Sequence, residues 1–168
     1  LSATSSSDFI DGRGLTRLGS KLIVVQNANE GNGNSSRFYV YDFSPNSIVL
    51  DKILESDIDI VGIESNERDL YAAQGSSNQI VLYTDLTNQP MGNIEADQLI
   101  AVDDLVRPRG IFYEPDQDFL LLTDIGETAN AADGAIVVIN NISAKAQPNP
   151  LDQRLVSIRQ RTSCTARS

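Results

Sequence analysis

Three glycines, Gly14, Gly62 and Gly110, stand 48 residues apart, and the same pattern follows each of them. Arg13-Gly14-Leu15 leads to Lys21-Leu22-Ile23-Val24-Val25, Val61-Gly62-Ile63 to Asp69-Leu70-Tyr71-Ala72-Ala73, and Arg109-Gly110-Ile111 to Asp118-Phe119-Leu120-Leu121-Leu122. A third apolar run follows at 38–42, 80–85 and 136–140, and a fourth at 48–53, 94–100 and 155–158. A long period held through four runs means one supersecondary unit used several times, which restricts the whole architecture before any single element is assigned.

The runs are short, rich in Val, Ile, Leu and Tyr, and divided by Asn, Asp, Ser, Gly and Pro, which is the signature of strands and turns. No window keeps apolar residues at i, i+3, i+4 and i+7 through three turns, so helices are not expected. The connectors 17–20, 65–67 and 114–117 have lengths that close antiparallel hairpins, and Pro115-Asp116 suits the first corners of a type I turn. The second runs are continuously apolar, as in strands covered on both faces. The expected class is all-β: a β-propeller fragment of about three four-stranded antiparallel blades. Its expected parts are a lead-in 1–7, blades 8–54, 55–101 and 102–158, and a non-blade tail 159–168. A β-sandwich or β-solenoid also has many short strands, but its units seldom keep one spacing through four of them. The three glycines read as structural, letting backbones crowd near an axis or supplying an unusual dihedral angle.

The stretch Pro108-Arg109-Gly110-Ile111-Phe112-Tyr113-Glu114-Pro115-Asp116-Gln117-Asp118-Phe119-Leu120-Leu121-Leu122-Thr123-Asp124 resembles the P-x-G-I-x-x-x-P-D-x-x-x-L-x-V-x-D/N phrase of YVTN-type and NHL-type β-propellers, including the lactonase-like group. The resemblance spans residues 8–158 and is sharpest in the third unit. It implies a propeller fold. It also leaves two functional expectations open: a binding scaffold, or part of a propeller hydrolase, lactonase-like or calcium-dependent, in which an acidic channel holds Ca²⁺ and a carboxylate activates water. The chain has neither Trp nor His, so the dipeptides of the WD40 group are absent.

In a four-stranded blade, the second-to-third loops and the linkers between blades share one side of the disc, where loops vary without disturbing the core. That expected functional side comprises 26–37, 74–79 and 124–135, with the linkers 55–61 and 101–109. Two long polar loops, 27–36 and 125–134, flank a short one, 75–78. Hairpins close with fewer residues, so the long loops are either a rim for a ligand or partner or tolerated surface variation. The candidate ligand-face residues are Arg13, Gln26, Asn27, Glu30, Gln74, Asn78, Arg109, Asp124, Glu127 and Asp133. Asp57, Asp59, Asp103, Asp104 and Asp124 are the candidate oxygen ligands for Ca²⁺, although no EF-hand pattern is present and such carboxylates are also ordinary surface charge. Arg13 and Arg109 precede equivalent glycines, where they would either bind an anion or pair with the linker acids.

Net charge then narrows the partners. Thirteen basic residues against 23 acidic ones give −10, which repels nucleic acid and anionic membranes and leaves a protein, a glycan or a small molecule as expected partner. Without histidine there is no Ser-His-Asp or Cys-His nucleophile, so for this chain alone the scaffold is favoured over the enzyme. The single Cys164 lies in a basic tail holding Arg159, Arg161 and Arg167 and no acid. The Asn- and Ser-rich, Cys-poor composition resembles secreted or periplasmic propellers, giving an expected extracellular or periplasmic location. Three blades are fewer than a closed ring needs, so two blade faces are expected to be bare and to drive self-association.

Overall fold

The computed structural model describes residues 12–27, 35–75, 77–103, 105–127, 134–146 and 161–162. The described residues are mostly strand, arranged in three sheets, so the all-β expectation is met. The first sheet contains β1 (Gly12–Leu18), β2 (Lys21–Asn27), β3 (Ser36–Ser44) and β4 (Ser47–Ser56), paired antiparallel in chain order. The second starts with β5 (Ile60–Ser65), β6 (Asp69–Gln74) and β7 (Gln79–Thr84), again antiparallel neighbours.

After β7 the chain departs from the expected single fourth run at 94–100. It makes a 3₁₀ turn, Leu86–Asn88, and then β8 (Gly92–Asn93), which pairs in parallel with β4 of the first sheet. Lys52 on β4 donates its ammonium to the carbonyls of Thr87 and Gln89, both at 2.6 Å, and the Ile94 amide donates to the Glu55 carbonyl at 2.8 Å. Gly92, at φ 119°, turns the chain where a side chain would be strained. Only then does β9 (Gln98–Ala101) complete the second sheet beside β7.

The third sheet holds β10 (Pro108–Glu114), β11 (Phe119–Asp124) and β12 (Ala135–Asn140), followed by one helical turn, α1 (Ile142–Lys145), and β13 (Arg161–Thr162). The run expected as its fourth strand, 155–158, lies outside the described residues, and the pairing with β12 is made by Arg161 and Thr162, in what the sequence suggested was a tail outside the sheets. The turn α1 was also unforeseen. Asn141 enters it at φ 53°, Ile142 is fully buried, and the Asp118 carboxylate accepts from the Ser143 hydroxyl at 2.6 Å. These contacts draw the chain off the strand path directly after β12.

Alternation on the middle sheet holds the three together. Leu70 and Ala72 of β6 face the first sheet, in one cluster with Ile23, Val25, Phe38, Val40 and Leu54. Tyr71 and Ala73 face the third, in a second cluster with Leu120, Leu122, Val137 and Ile139. Strands buried on both faces must be apolar at every position, which is why the second and third runs of this unit carry no polar alternation. The first strands of the three sheets lie side by side, β1 against β5 and β5 against β10. A Cβ on Gly14 would sit 2.9 Å from the Ile63 amide nitrogen, and one on Gly62 would sit 2.9 Å from the Arg109 carbonyl oxygen. Thr16 adds a hydrogen bond to the Glu64 carboxylate at 2.7 Å, and the Ser65 hydroxyl donates to the Arg17 carbonyl.

Two predictions follow from this packing. Gly62→Ala places a methyl against backbone that cannot rotate away, so chemical denaturation should show a loss of about 2 kcal/mol, the usual cost of overpacking. Tyr71 and Tyr83 are fully buried, and burial first of all pushes each phenol from 10.0 up to about 12; Asp69 adds to the effect at Tyr71, while at Tyr83 the Ser56 hydroxyl, 2.7 Å away, opposes it. A raised acid pKa favours the neutral phenol in the fold. The two residues therefore stabilise fully below pH 10, and that stability should drain away as pH rises toward 12, seen as a falling urea midpoint with tyrosinate absorbance appearing on unfolding.

Candidate functional site

Gln26, Gln74 and Asp124 lie at the ends of β2, β6 and β11, opposite Gly12, Ile60 and Pro108, and a register shift follows each pair. Three of the residues singled out from sequence thus hold one position in three neighbouring sheets, at the end from which the second-to-third loops leave. Their side chains do different work. Gln26 is buried and donates to the Tyr39 hydroxyl at 2.9 Å. Asp124 is only 4% exposed; its Oδ2 accepts from the Val106 amide at 2.9 Å, and its Oδ1 from the amides of Arg107 at 2.8 Å and Gly126 at 3.0 Å. A carboxylate with three backbone donors is a clamp: it fixes the linker that enters β10 and turns the chain leaving β11. The Arg107 guanidinium completes the clamp, its Nε donating to the Gly126 carbonyl at 2.5 Å.

The linker acids are dispersed. Asp57 is exposed, and Asp59 is half-buried with its carboxylate against Gly75, whose amide donates to the Asp59 carbonyl at 2.9 Å. Asp103 is half-buried; Asp104 lies outside the described residues, as do Glu30, Asp133 and the side chain of Asn27. Among the described residues, no three Asp, Glu or Cys side chains come together so as to hold a metal ion. Arg13 is half-buried, whereas Arg109, Asn78 and Glu127 are exposed. Arg109 contributes its backbone carbonyl to the contact with Gly62, and Asn78 accepts the Val102 amide at 2.9 Å.

Two residues at this end lie in segments expected on the functional side, 74–79 and 101–109, without having been singled out there. Ser77 Oγ, Arg107 Nη2 and the expected Gln74 Oε1 are buried atoms with no hydrogen-bond partner among the described residues. All three belong to the end of β6, the short loop after it, or the linker into β10. The sequence drew attention to Arg109 because it aligns with Arg13. The arginine that turns inward is Arg107, and its only local signal is its place just before Pro108, where an extended backbone is favoured.

The opposite end, formed by the first-to-second hairpins, carries an open groove of about 580 Å³ between Gly19, Ser20 and Lys21 of the first sheet and Glu67, Arg68 and Asp85 of the second. Its two cations are already paired. Lys21 pairs with Asp42 and Asp51 at 2.8 Å each; hydrogen bonding to these carboxylates raises the Lys21 ammonium and lowers the Asp51 carboxyl from their ordinary values. Arg68 reaches the buried Asp69 with two nitrogens, at 3.0 and 2.7 Å. Both cations lining the groove, Lys21 and Arg68, are thus paired with carboxylates, while the loop end holds three buried polar atoms without a partner among the described residues.

Compared with known proteins, the chain matches no protein-family model and no curated protein. Asp124→Ala would strand three buried or half-buried amides, and denaturant unfolding should show a loss of about 3 kcal/mol, as expected when a charged hydrogen-bond acceptor is removed. A loss below about 1 kcal/mol would mean that the carboxylate is not a clamp.

Proposed function

We propose that the chain is a β-propeller portion of the YVTN/NHL kind that its third segment resembles, and that it serves as a binding scaffold whose ligand docks at the loop end. Three sheets in chain order, side by side through their first strands and separated by glycines at a 48-residue step, support the propeller reading. The observation that carries the binding reading is the placement of Gln74 Oε1, Ser77 Oγ and Arg107 Nη2, three buried atoms without a hydrogen-bond partner among the described residues, at the loop end. Burying a polar atom without a partner costs about 1–3 kcal/mol, a cost recovered when the side chain turns outward to meet a ligand at this end.

Those atoms state what the ligand offers. An amide oxygen needs a donor, a guanidinium nitrogen needs an acceptor, and a hydroxyl takes either. A glycan hydroxyl or a peptide group presents both, whereas a polyanion meets a chain of net charge −10. In sequence, the long polar segments 27–36 and 125–134 fall in the two units on either side of the one whose short loop carries Ser77.

Glycan and peptide arrays probed with the wild-type chain should return ligands whose binding drops at least roughly 10-fold, or about 1.4 kcal/mol, in Gln74→Leu and in Ser77→Ala. Thermal unfolding of the same variants should show melting temperatures unchanged or raised, because each loses a buried atom that has no partner. Ligands that bind the variants as well as the wild type, or a stability loss above about 1 kcal/mol in both variants, would rule the site out.

A further inference from the structure

Each outer sheet buries one face against the middle sheet, and among the described residues the other face keeps large apolar side chains exposed. On the first sheet the bare face carries Leu15, 62% exposed, with half-buried Leu22 and Val24 beside it. On the third it carries Gly110, Phe112 at 49% and Ile136 at 46%, with half-buried Leu121 and Val138 between. Adjacent large apolar side chains left in water on two separate sheets are the usual mark of an association surface.

What fits these faces is written in the contacts inside the chain. Ile63, Leu70 and Ala72 stand 48 residues after Leu15, Leu22 and Val24, and all three are buried against the first sheet. Ile63 rests on Gly14, where a Cβ would come within 2.9 Å of Ile63 Cγ1, and Ile111 rests on Gly62, with Cγ2 at 3.3 Å. The series Ile63 on Gly14, then Ile111 on Gly62, lacks one member: a side chain of the Leu15 kind resting on Gly110. At Gly110 an added Cβ would meet nothing but the Thr123 side chain of the same sheet. The bare face of the first sheet is thus shaped like the faces that already dock within the chain, and the bare face of the third sheet is shaped like the faces that receive them.

We infer that these two faces dock on each other between two copies of this chain, Leu15 of one copy resting on Gly110 and Phe112 of the other, and reciprocally. The contact is head-to-tail in its surfaces, and its closure after two copies, rather than growth into a longer chain, follows if three sheets span half of a ring of six. Docking itself follows from the faces alone; that the two copies complete a ring of six sheets rests in addition on the propeller reading.

Sedimentation velocity of the full chain over a range of concentrations should show a monomer–dimer equilibrium. Leu15→Asp and Phe112→Arg each bury a charge at the docked surface and should weaken the dimer roughly 100-fold. Both residues are exposed in the single copy, so circular dichroism of each variant should match the wild type. Mixing the two variants should restore the dimer, because one of the two contacts is then wild type on both sides and the other pairs Asp with Arg. A wild-type monomer at every concentration would overturn the inference and leave the faces to a different partner. A wild-type dimer whose variants fail to recombine would overturn it as well, since like-to-like docking through one face behaves that way. Array binding by a monomeric chain would leave the proposed function standing while removing this inference.

Discussion

The close approach of neighbouring first strands is the constraint on which the rest depends. Where Gly14 meets the Ile63 amide and Gly62 meets the Arg109 carbonyl, there is no room for a methyl group, and the sheets can stand no farther apart without opening the two apolar clusters. The hydrogen bond from Thr16 to Glu64 then fixes the sliding register between sheets, which apolar contact alone would leave free. Because spacing and register are both set at the first strands, the ends of the second strands fall into line, and the loop ends gather on one side.

That arrangement was largely legible in the sequence, because its causes are local and periodic. The spacing of the glycines, the continuous apolarity of Leu70 to Ala73 and Ile80 to Tyr83, and the hairpin-length connectors all act within a few residues of where they are read. What the sequence did not show depends on long-range hydrogen bonds. Nothing near Gly92 says that its strand will join β4, since that pairing is held by Lys52 from 35 and 37 residues away. The turn after β12 follows from Asp118 catching Ser143, at a separation of 25 residues.

The site divides along the same line. Gln26, Gln74 and Asp124 were found because strand ends are predictable from strand patterns, yet their roles were not, because a side chain at a given position can serve the backbone or a ligand equally well. Asp124 serves the backbone, with three amides on its two oxygens, whereas Gln74 keeps an oxygen unengaged. Arg107 illustrates the converse: alignment favoured Arg109, but the clamp at Asp124 bends the linker so that the guanidinium two residues earlier turns inward.

The two-residue strand β8 has a consequence for solubility. The outer edge of a sheet presents unpaired amides and carbonyls, a template onto which strands of other molecules can add to start a fibril. By covering Leu54 and Glu55, β8 withdraws that part of the β4 edge from such growth, and Pro90 just before it lacks the amide that would prolong the ladder. The other half of β4, with Ile48, Val49 and Leu50 all exposed, pairs with no further strand among the described residues and is the part of this edge open to lateral addition. The segment that straps the second sheet onto the first thus also caps the end of β4 against strand addition, leaving the hairpin tip as the exposed part of that edge.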